Sequence, residues 1–254
     1  MSAKLFTTLS LVLGIGMCLA RAQSGARPLS LDLSSTNSVK TNALPKRNIK
    51  EVSPGVYEVG LVRLDKATKT ISFPAVVNMR DGIAEYWLVN TGGKVHESVL
   101  RTDAKPVNIH VAMLLLGAHG RANLTAKERI EDKSTYGDTV AIWVEWTDSK
   151  GNKHRNRAEE WVNDLSQKAP MSKGDWIYNG SWIFNGTFVA QRELSIVSNI
   201  HDHDALINNP RLKREDDDNW TIETKAVPPK DTPVTVIIEL VKPYVKPEPN
   251  ETKS

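Results

Sequence analysis

The feature that most restricts the fold of this chain is an apolar segment at residues 106–116, which has the pattern of a helix. Pro106 suits the first helical turn and Gly117 suits the C-terminal cap. The apolar side chains between them cover most of the helix circumference: Ile109, Val111, Ala112, Met113, Leu114, Leu115 and Leu116. A helix that is apolar on most faces is usually buried, so this segment predicts a core helix under a sheet, with Leu115 in the core.

The rest of the central region has the pattern of β-strands. Residues 139–146 alternate between two faces, and Asp81-Gly82 predicts a hairpin turn. Strands are expected at residues 56–64, 69–77, 83–90, 139–146, 153–157, 176–184, 188–200, 219–223 and 233–241. Weaker helical patterns occupy residues 158–165 and 205–208. The expected fold is α+β, a mainly antiparallel sheet of about nine strands with one buried helix (106–116) and one or two short helices.

The N-terminus has the pattern of a secretory signal peptide. Lys4 precedes an apolar run at residues 5–20, and Ala20-Arg21-Ala22 supplies the small residues before a cleavage site at Gln23. Residues 1–22 are therefore expected to be removed from a periplasmic or secreted protein; the alternative is an uncleaved anchor. The sequence after the leader has no apolar stretch of membrane-spanning length, so no span is expected after cleavage.

Removal of this leader changes the charge and the cysteine content. The chain has 33 Lys and Arg against 30 Asp and Glu, so losing Lys4 and Arg21 lowers the formal charge from +3 to +1. A chain this close to neutral is not expected to bind nucleic acid through charge alone. Cys18 is the only cysteine and leaves with the leader, so the mature protein would have no disulfide and no thiolate ligand or nucleophile.

Both ends of the remaining chain are expected to be disordered. Residues 23–49 are rich in Ser, Thr and Asn and show no sustained period, so they predict a linker. Residues 242–254 are rich in Pro and charged side chains and predict a disordered tail. The sequence therefore predicts a single domain at residues 50–241, which is long enough to build a hydrophobic core.

An ordered set of short motifs resembles a known family. Residues 93–100 read GKVHESVL, and residues 103–117 read DAKPVNIHVAMLLLG. They are followed by RAEEW (157–161), WIYNGS (176–181), NNP (208–210), EDDDNW (215–220) and PPKDTPVT (228–235). Taken together, these motifs are similar to the YdjY-type domain, a family of exported bacterial proteins without an established activity. The resemblance covers roughly residues 50–241 and implies a domain and a bacterial source, but no catalytic residues.

A candidate polar cluster lies within these motifs: His96, Glu97, Asn108, His110 and Asp217. If His110 and either His96 or Glu97 converged with an acid from residues 215–218, they would form a divalent-metal site. His96 and Glu97 lie near the end of a strand, where neighbouring side chains point to opposite faces, and the spacing is not H-E-x-x-H. The favoured interpretation is a structural network in which each imidazole bonds to a backbone carbonyl or a carboxylate and fixes the helix against the sheet.

Other polar and aromatic features favour ordinary structural roles. In residues 201–204, Asp202 or Asp204 is a natural N-cap for the weak helix that follows, and residues 211–218 predict a salt-bridged loop. Most of the seven tryptophans are expected in the core, although they could form a ligand platform. The sequence contains no nucleotide-binding or hydrolase motif.

The leading functional hypothesis is a non-catalytic binding or interaction module of the cell envelope, with an unidentified envelope or extracellular ligand and no cofactor. The alternative is a metal-dependent enzyme that uses His96, Glu97 and His110 with a divalent ion. The sequence does not predict the oligomeric state.

Overall fold

The computed structural model describes residues 49–121, 127 and 135–244. The predicted signal peptide, the predicted linker (except for residue 49) and most of the predicted tail lie outside the described residues. All described residues belong to one compact unit, Leu44–Ser254. Within the described residues, no helix combines the length and the apolar composition that a membrane crossing requires.

The described residues form mostly strands. The strands are β1 Ile49–Ser53, β2 Val56–Val59, β3 Val62–Asp65, β4 Thr70–Val77, β5 Tyr86–Asn90, β6 Ser98–Thr102, β7 Asp138–Thr147, β8 Lys153–Arg157, β9 Val162–Asp164, β10 Ala169–Pro170, β11 Trp176–Tyr178, β12 Ile183–Phe184, β13 Thr187–Phe188, β14 Ser195–Ser198, β15 Ile207–Asn208, β16 Trp220–Ile222 and β17 Pro233–Lys242. The described helices are α1 Pro106–Leu115 and α2 Val189–Glu193, with short 3₁₀-helices at Val95–Glu97 and Ala158–Trp161.

Eight of these strands close into a barrel. They follow one another in the order β4, β17, β7, β11, β15, β14, β5 and β6, and β6 pairs back with β4 through Arg101 and Leu100. Strands β3, β2 and β1 extend the sheet beyond β4, and β8 pairs with the end of β7. Most of the pairs are antiparallel, but β5 with β6 and β14 with β15 are parallel.

The expected α+β fold is therefore wrong, although the preference for antiparallel pairing is partly matched. The protein is mostly β, with a closed barrel, additional strands and few helices. Alternation along β7 and β17 correctly indicates which side chains point inward, among them Ile142, Val144 and Val236. The same alternation occurs in open and closed sheets, so a pattern within single strands does not reveal closure.

Several element boundaries also differ from the expectation. The predicted strand at residues 56–64 is a hairpin, because Gly60 adopts a φ of +61° and turns β2 into β3. The helix expected at 158–165 is only a short 3₁₀-turn followed by β9, and the segment expected as a helix at 205–208 ends in β15. The Asp81-Gly82 segment does not join a hairpin, since β6 rather than β4 pairs with β5.

Helix α1 lies where the sequence predicts it, but it is buried on one side only. Ile109, Ala112 and Met113 are buried and belong to the core, where α1 packs against β2, β3 and β4. Leu114 and Leu115 are 46% and 37% exposed, so the expectation that Leu115 belongs to the core is wrong. The apolar arc is wider than the face that the sheet covers, and it leaves leucines at the surface.

Four of the seven tryptophans are fully buried, which agrees with the expected core role for most of them. Trp161, Trp176 and Trp220 fill the core together with Trp87. Trp87 and Trp161 lie 6.1 Å apart between ring centroids, and Trp146 contacts Trp161 edge-on at 5.5 Å. These rings occupy much of the interior near β5, β7 and the 3₁₀-turn at Ala158–Trp161.

Candidate functional site

The predicted polar cluster is divided between two places in the fold. His96 and Glu97 lie together on the 3₁₀-helix Val95–Glu97 rather than on a regular strand, and His96 Nε2 is 3.6 Å from Glu97 Oε2. The His96 side chain is 76% exposed, so it is not a core histidine. Asp217 lies in an exposed loop that is within electrostatic range of this helix.

The Glu85 carboxyl lies within electrostatic range of all three of these predicted residues. Burial raises the pKa of the Glu85 carboxyl above its ordinary value, and the negative charges of Glu97 and Asp217 raise it further. His96 and Lys94 act in the opposite direction on the same carboxyl. The result is a surface cluster of mixed charge with Glu85 at its centre, a residue that the sequence analysis did not identify.

Tyr86, next to Glu85, anchors a buried extension of this cluster. Lys94 Nζ donates to the Tyr86 hydroxyl at 2.5 Å, and that hydroxyl donates to Asp202 Oδ2 at 3.0 Å. Burial, followed by the charge of Asp202, raises the pKa of Tyr86 well above its ordinary value, so the phenol stays protonated. These contacts hold together β5, the segment before β6 and the loop after β14, so their role is structural.

Asn108 and His110 lie elsewhere, on α1. His110 Nδ1 and the Tyr178 hydroxyl are 2.5 Å apart, and the His110 ring lies 4.8 Å from the Phe188 ring. The Asn108 amide packs so closely against Gly60 that a Cβ there would lie 2.3 Å from its nitrogen. Both side chains therefore fix α1 to neighbouring elements, as the structural-network hypothesis expects.

The structure does not join these two groups into one metal centre. Among the residues that the structure describes, no three or more His, Cys, Asp or Glu side chains are arranged to hold a metal ion. His96 is grouped with Glu97 and Glu85, whereas His110 contacts Tyr178 and Phe188.

Several motif residues are buried and bond to other parts of the barrel. Asn208 accepts from the backbone N–H of Asp202 and donates to the Asn179 side chain and the Asp202 carbonyl. Asp202 therefore does not cap a helix; it holds the segment before β15. Glu159 is also buried and pairs with Arg157 at 3.2 Å. These motif residues maintain the fold through their hydrogen bonds and ion pairs.

One exposed apolar surface is the hairpin of β12 and β13, which forms a separate two-stranded sheet. Asn185 and Gly186 both have positive φ angles, 48° and 76°, as a two-residue turn of this kind requires. Ile183 is 67% exposed and Phe184 is 43% exposed. We call these two residues the hairpin patch.

The base of this hairpin is buried at Val189 and Ala190, and hydrogen bonds join its two arms there. The backbone N–H of Val189 donates to the Trp182 carbonyl at 2.9 Å, and the backbone N–H of Ala190 donates to Ser181 Oγ at 3.0 Å. Phe188 packs against the core and against His110, and Leu114 lies one helical turn after His110. The apolar tip is therefore a supported projection, and the sequence analysis missed it by extending a strand through residues 176–184.

A second surface feature is a groove of about 340 Å³ beside β7 and β8, lined by Glu145, Trp146, Thr147, Lys153, His154, Arg155 and Thr235. Three of its polar side chains, Glu145, His154 and Arg155, already have partners within the protein. Arg155 pairs with Glu145 at 3.4 Å, and His154 Nε2 lies 2.9 Å from Asp148 Oδ2. Nearby, the guanidinium groups of Arg155 and Arg157 cover Trp143 at 4.4 Å and 4.9 Å, so this indole is not a bare platform.

Comparison with known proteins identifies one family. Residues 62–239 match the YdjY domain, which confirms the resemblance drawn from the motifs. No curated protein matches the chain. No solved structure matches it either.

Proposed function

The chain belongs to the YdjY domain family, whose function is unknown, and we propose that it is a non-catalytic interaction module of the cell envelope. The observation that carries this proposal is the hairpin patch. Exposed apolar patches are uncommon on monomers and usually mark interaction sites. Ile183 and Phe184 occupy consecutive positions of a hairpin whose base is buried at Val189 and Ala190.

The contacts of Tyr86, Asn108 and His110 support a non-catalytic role. A general acid or base requires a pKa near the working pH. Burial raises the pKa of Tyr86 away from that range, and its hydroxyl is engaged by Lys94 and Asp202. His110 is engaged by Tyr178, and Asn108 packs on a turn.

The leader supports the envelope as the compartment. Lys4, the apolar residues 5–20 and Ala20-Arg21-Ala22 form the pattern that signal peptidase recognises. Mass spectrometry of the protein recovered from the producing bacterium is expected to find Gln23 at the N-terminus, in a periplasmic or secreted fraction. If the protein were found in the soluble cytoplasmic fraction with Met1 retained, the proposed periplasmic or secreted location would be wrong.

Sedimentation with washed cell envelopes tests the interaction role. The chain from Gln23 is expected to pellet with envelopes, and the double variant Ile183→Ser/Phe184→Ser is expected to bind at least about tenfold more weakly, because two exposed apolar anchors are removed. Leu212→Ser is the matched control, since Leu212 is 84% exposed and lies far from the hairpin in sequence. Equal binding by the wild type and the hairpin variant would overturn the proposal.

Metal analysis separates this proposal from the metal-dependent enzyme that uses His96, Glu97 and His110. The purified protein is expected to hold divalent metal only below stoichiometric amounts. Stoichiometric metal that is lost in both His96→Ala and His110→Ala, with the fold intact, would favour the enzyme instead.

A further inference from the structure

We infer that the partner of the hairpin patch is a lipid membrane surface, an inference that rests on the proposed function and names its partner. Residues 176–191 contain no charged side chain in a chain of which 25% is charged. Within this stretch Trp182, Ile183 and Phe184 lead into the turn at Asn185-Gly186. Aromatic and aliphatic side chains of this kind partition favourably into the membrane–water interface.

The orientation of the exposed side chains favours a fluid partner over a folded protein. Consecutive residues of a strand point to opposite faces, so Ile183 and Phe184 project from opposite sides of the hairpin. Both are exposed. A rigid partner docked on one face would leave the other apolar side chain in water, whereas a lipid surface surrounds both.

The size of the hairpin matches shallow insertion. Three residues, from Trp182 to Phe184, lead from its base to the turn, which corresponds to about 10 Å of extended strand. Interfacial elements bury their apolar side chains by roughly 5–10 Å. The two strands pair through Ile183 with Phe188 and Phe184 with Thr187, which satisfies their inner backbone groups. Their outer backbone groups need water or head groups, so the tip stays at the interface.

Helix α1 contacts the hairpin through His110 and also carries exposed apolar side chains. His110 packs against Phe188 of β13, and Leu114 follows one turn later on the same side of the helix. Leu114 and Leu115 are the exposed residues of this helix end. Because the patch itself carries no charge, binding is expected to depend weakly on salt, unlike the attachment of a basic protein to anionic lipid.

Vesicle binding tests this inference. The experiment uses the chain from Gln23, which retains the complete unit Leu44–Ser254 and lacks the apolar leader. This protein is mixed with vesicles of phosphatidylcholine, with and without phosphatidylglycerol. We expect sedimentation with both vesicles at low and high salt, and a loss of at least about tenfold in Ile183→Ser/Phe184→Ser. Leu212→Ser is expected to bind like the wild type. Unfolding midpoints of all three proteins check that the fold is retained.

Fluorescence quenching by brominated lipid locates the contact. Trp182→Phe keeps an aromatic ring, so it is expected to sediment with vesicles but to lose most of the quenching seen in the wild type. Undiminished quenching in Trp182→Phe would place the lipid contact elsewhere and overturn the inference. Binding to envelopes without binding to vesicles would also overturn it, in favour of a protein or glycan partner, and would leave the proposed function standing. Binding to neither would overturn both.

Discussion

At the scale of single residues, the buried and half-buried polar groups of this protein mainly hold loops against the barrel. Glu160 is one example. Its carboxylate accepts from the backbone N–H of Arg157 at 3.0 Å and from the Asn156 side chain at 2.8 Å. These bonds cap the 3₁₀-turn Ala158–Trp161, which places Trp161 in the core.

This cap predicts an acid-sensitive contribution to stability. The Arg157 N–H holds the pKa of Glu160 below its ordinary value of 4.5. A carboxyl whose pKa is lowered by folding stabilises the protein above its unfolded pKa, and this contribution disappears as pH falls through the folded pKa. Urea unfolding at a series of pH values should therefore show a shallower loss of stability below about pH 4.5 in Glu160→Gln than in the wild type. The exposed Glu58→Gln serves as control, and identical acid profiles for all three would contradict the assignment.

The contact between His110 and Tyr178 predicts a stability effect without a functional one. Tyr178 is fully buried and its hydroxyl lies 2.5 Å from His110 Nδ1. Tyr178→Phe is expected to lower the free energy of unfolding by about 1 kcal/mol, the usual net value of a hydrogen bond. Tyr57→Phe, at a partly buried ring of the same type, is the comparison. A cost that is no larger at Tyr178 would argue against a structural role for the pair.

At the scale of elements, α1 shows how far an apolar pattern predicts packing. Met113 is fully buried, whereas Leu115 is 37% exposed. Met113→Ala is expected to cost about 2–5 kcal/mol in chemical denaturation. Leu115→Ala is expected to cost about 1 kcal/mol or less, because much of its side chain already contacts water. Equal losses would mean that both faces of α1 are covered in solution.

The elements also show which parts of the fold could be predicted from the sequence. β8 lies at the predicted residues. β7 extends beyond its prediction by one residue at each end, and β17 by one residue at its C-terminal end. Both are well predicted because strict alternation marks a strand that has one buried face. The predicted strands at 176–184 and 188–200 each overlap two shorter strands of the structure. The Asn185-Gly186 dipeptide, which follows Ile183-Phe184 and precedes Thr187-Phe188, is itself a hairpin signal. That signal could have identified the hairpin patch.

The polar clusters were less predictable for a different reason. His96 and Glu97 are expected on a strand with their side chains on opposite faces, whereas the 3₁₀-helix Val95–Glu97 brings them within 3.6 Å of each other. The bond between Tyr86 and Asp202 joins residues that are 116 positions apart. It exists only because β14 returns beside β5 in the barrel, and no local pattern encodes that return.

At the scale of the whole molecule, the closed barrel forms a stable body, and the hairpin of β12 and β13 lies outside its sheet. Strands β4 and β6 pair at the seam, so the eight strands brace one another. The hairpin of β12 and β13 stands outside this sheet and presents Ile183 and Phe184 to solvent. A fixed body with an apolar projection suits attachment to another surface better than it suits chemistry.

Hydrogen–deuterium exchange of the chain from Gln23, measured with and without washed cell envelopes, tests this account most directly. Envelopes are expected to slow exchange of the backbone N–H groups at residues 182–188 and at the end of α1, and to leave β7 and β8 unchanged. Slowed exchange at the groove lined by Thr147, Lys153 and Arg155, with an unchanged hairpin, would contradict the assignment of the hairpin patch as the interaction surface.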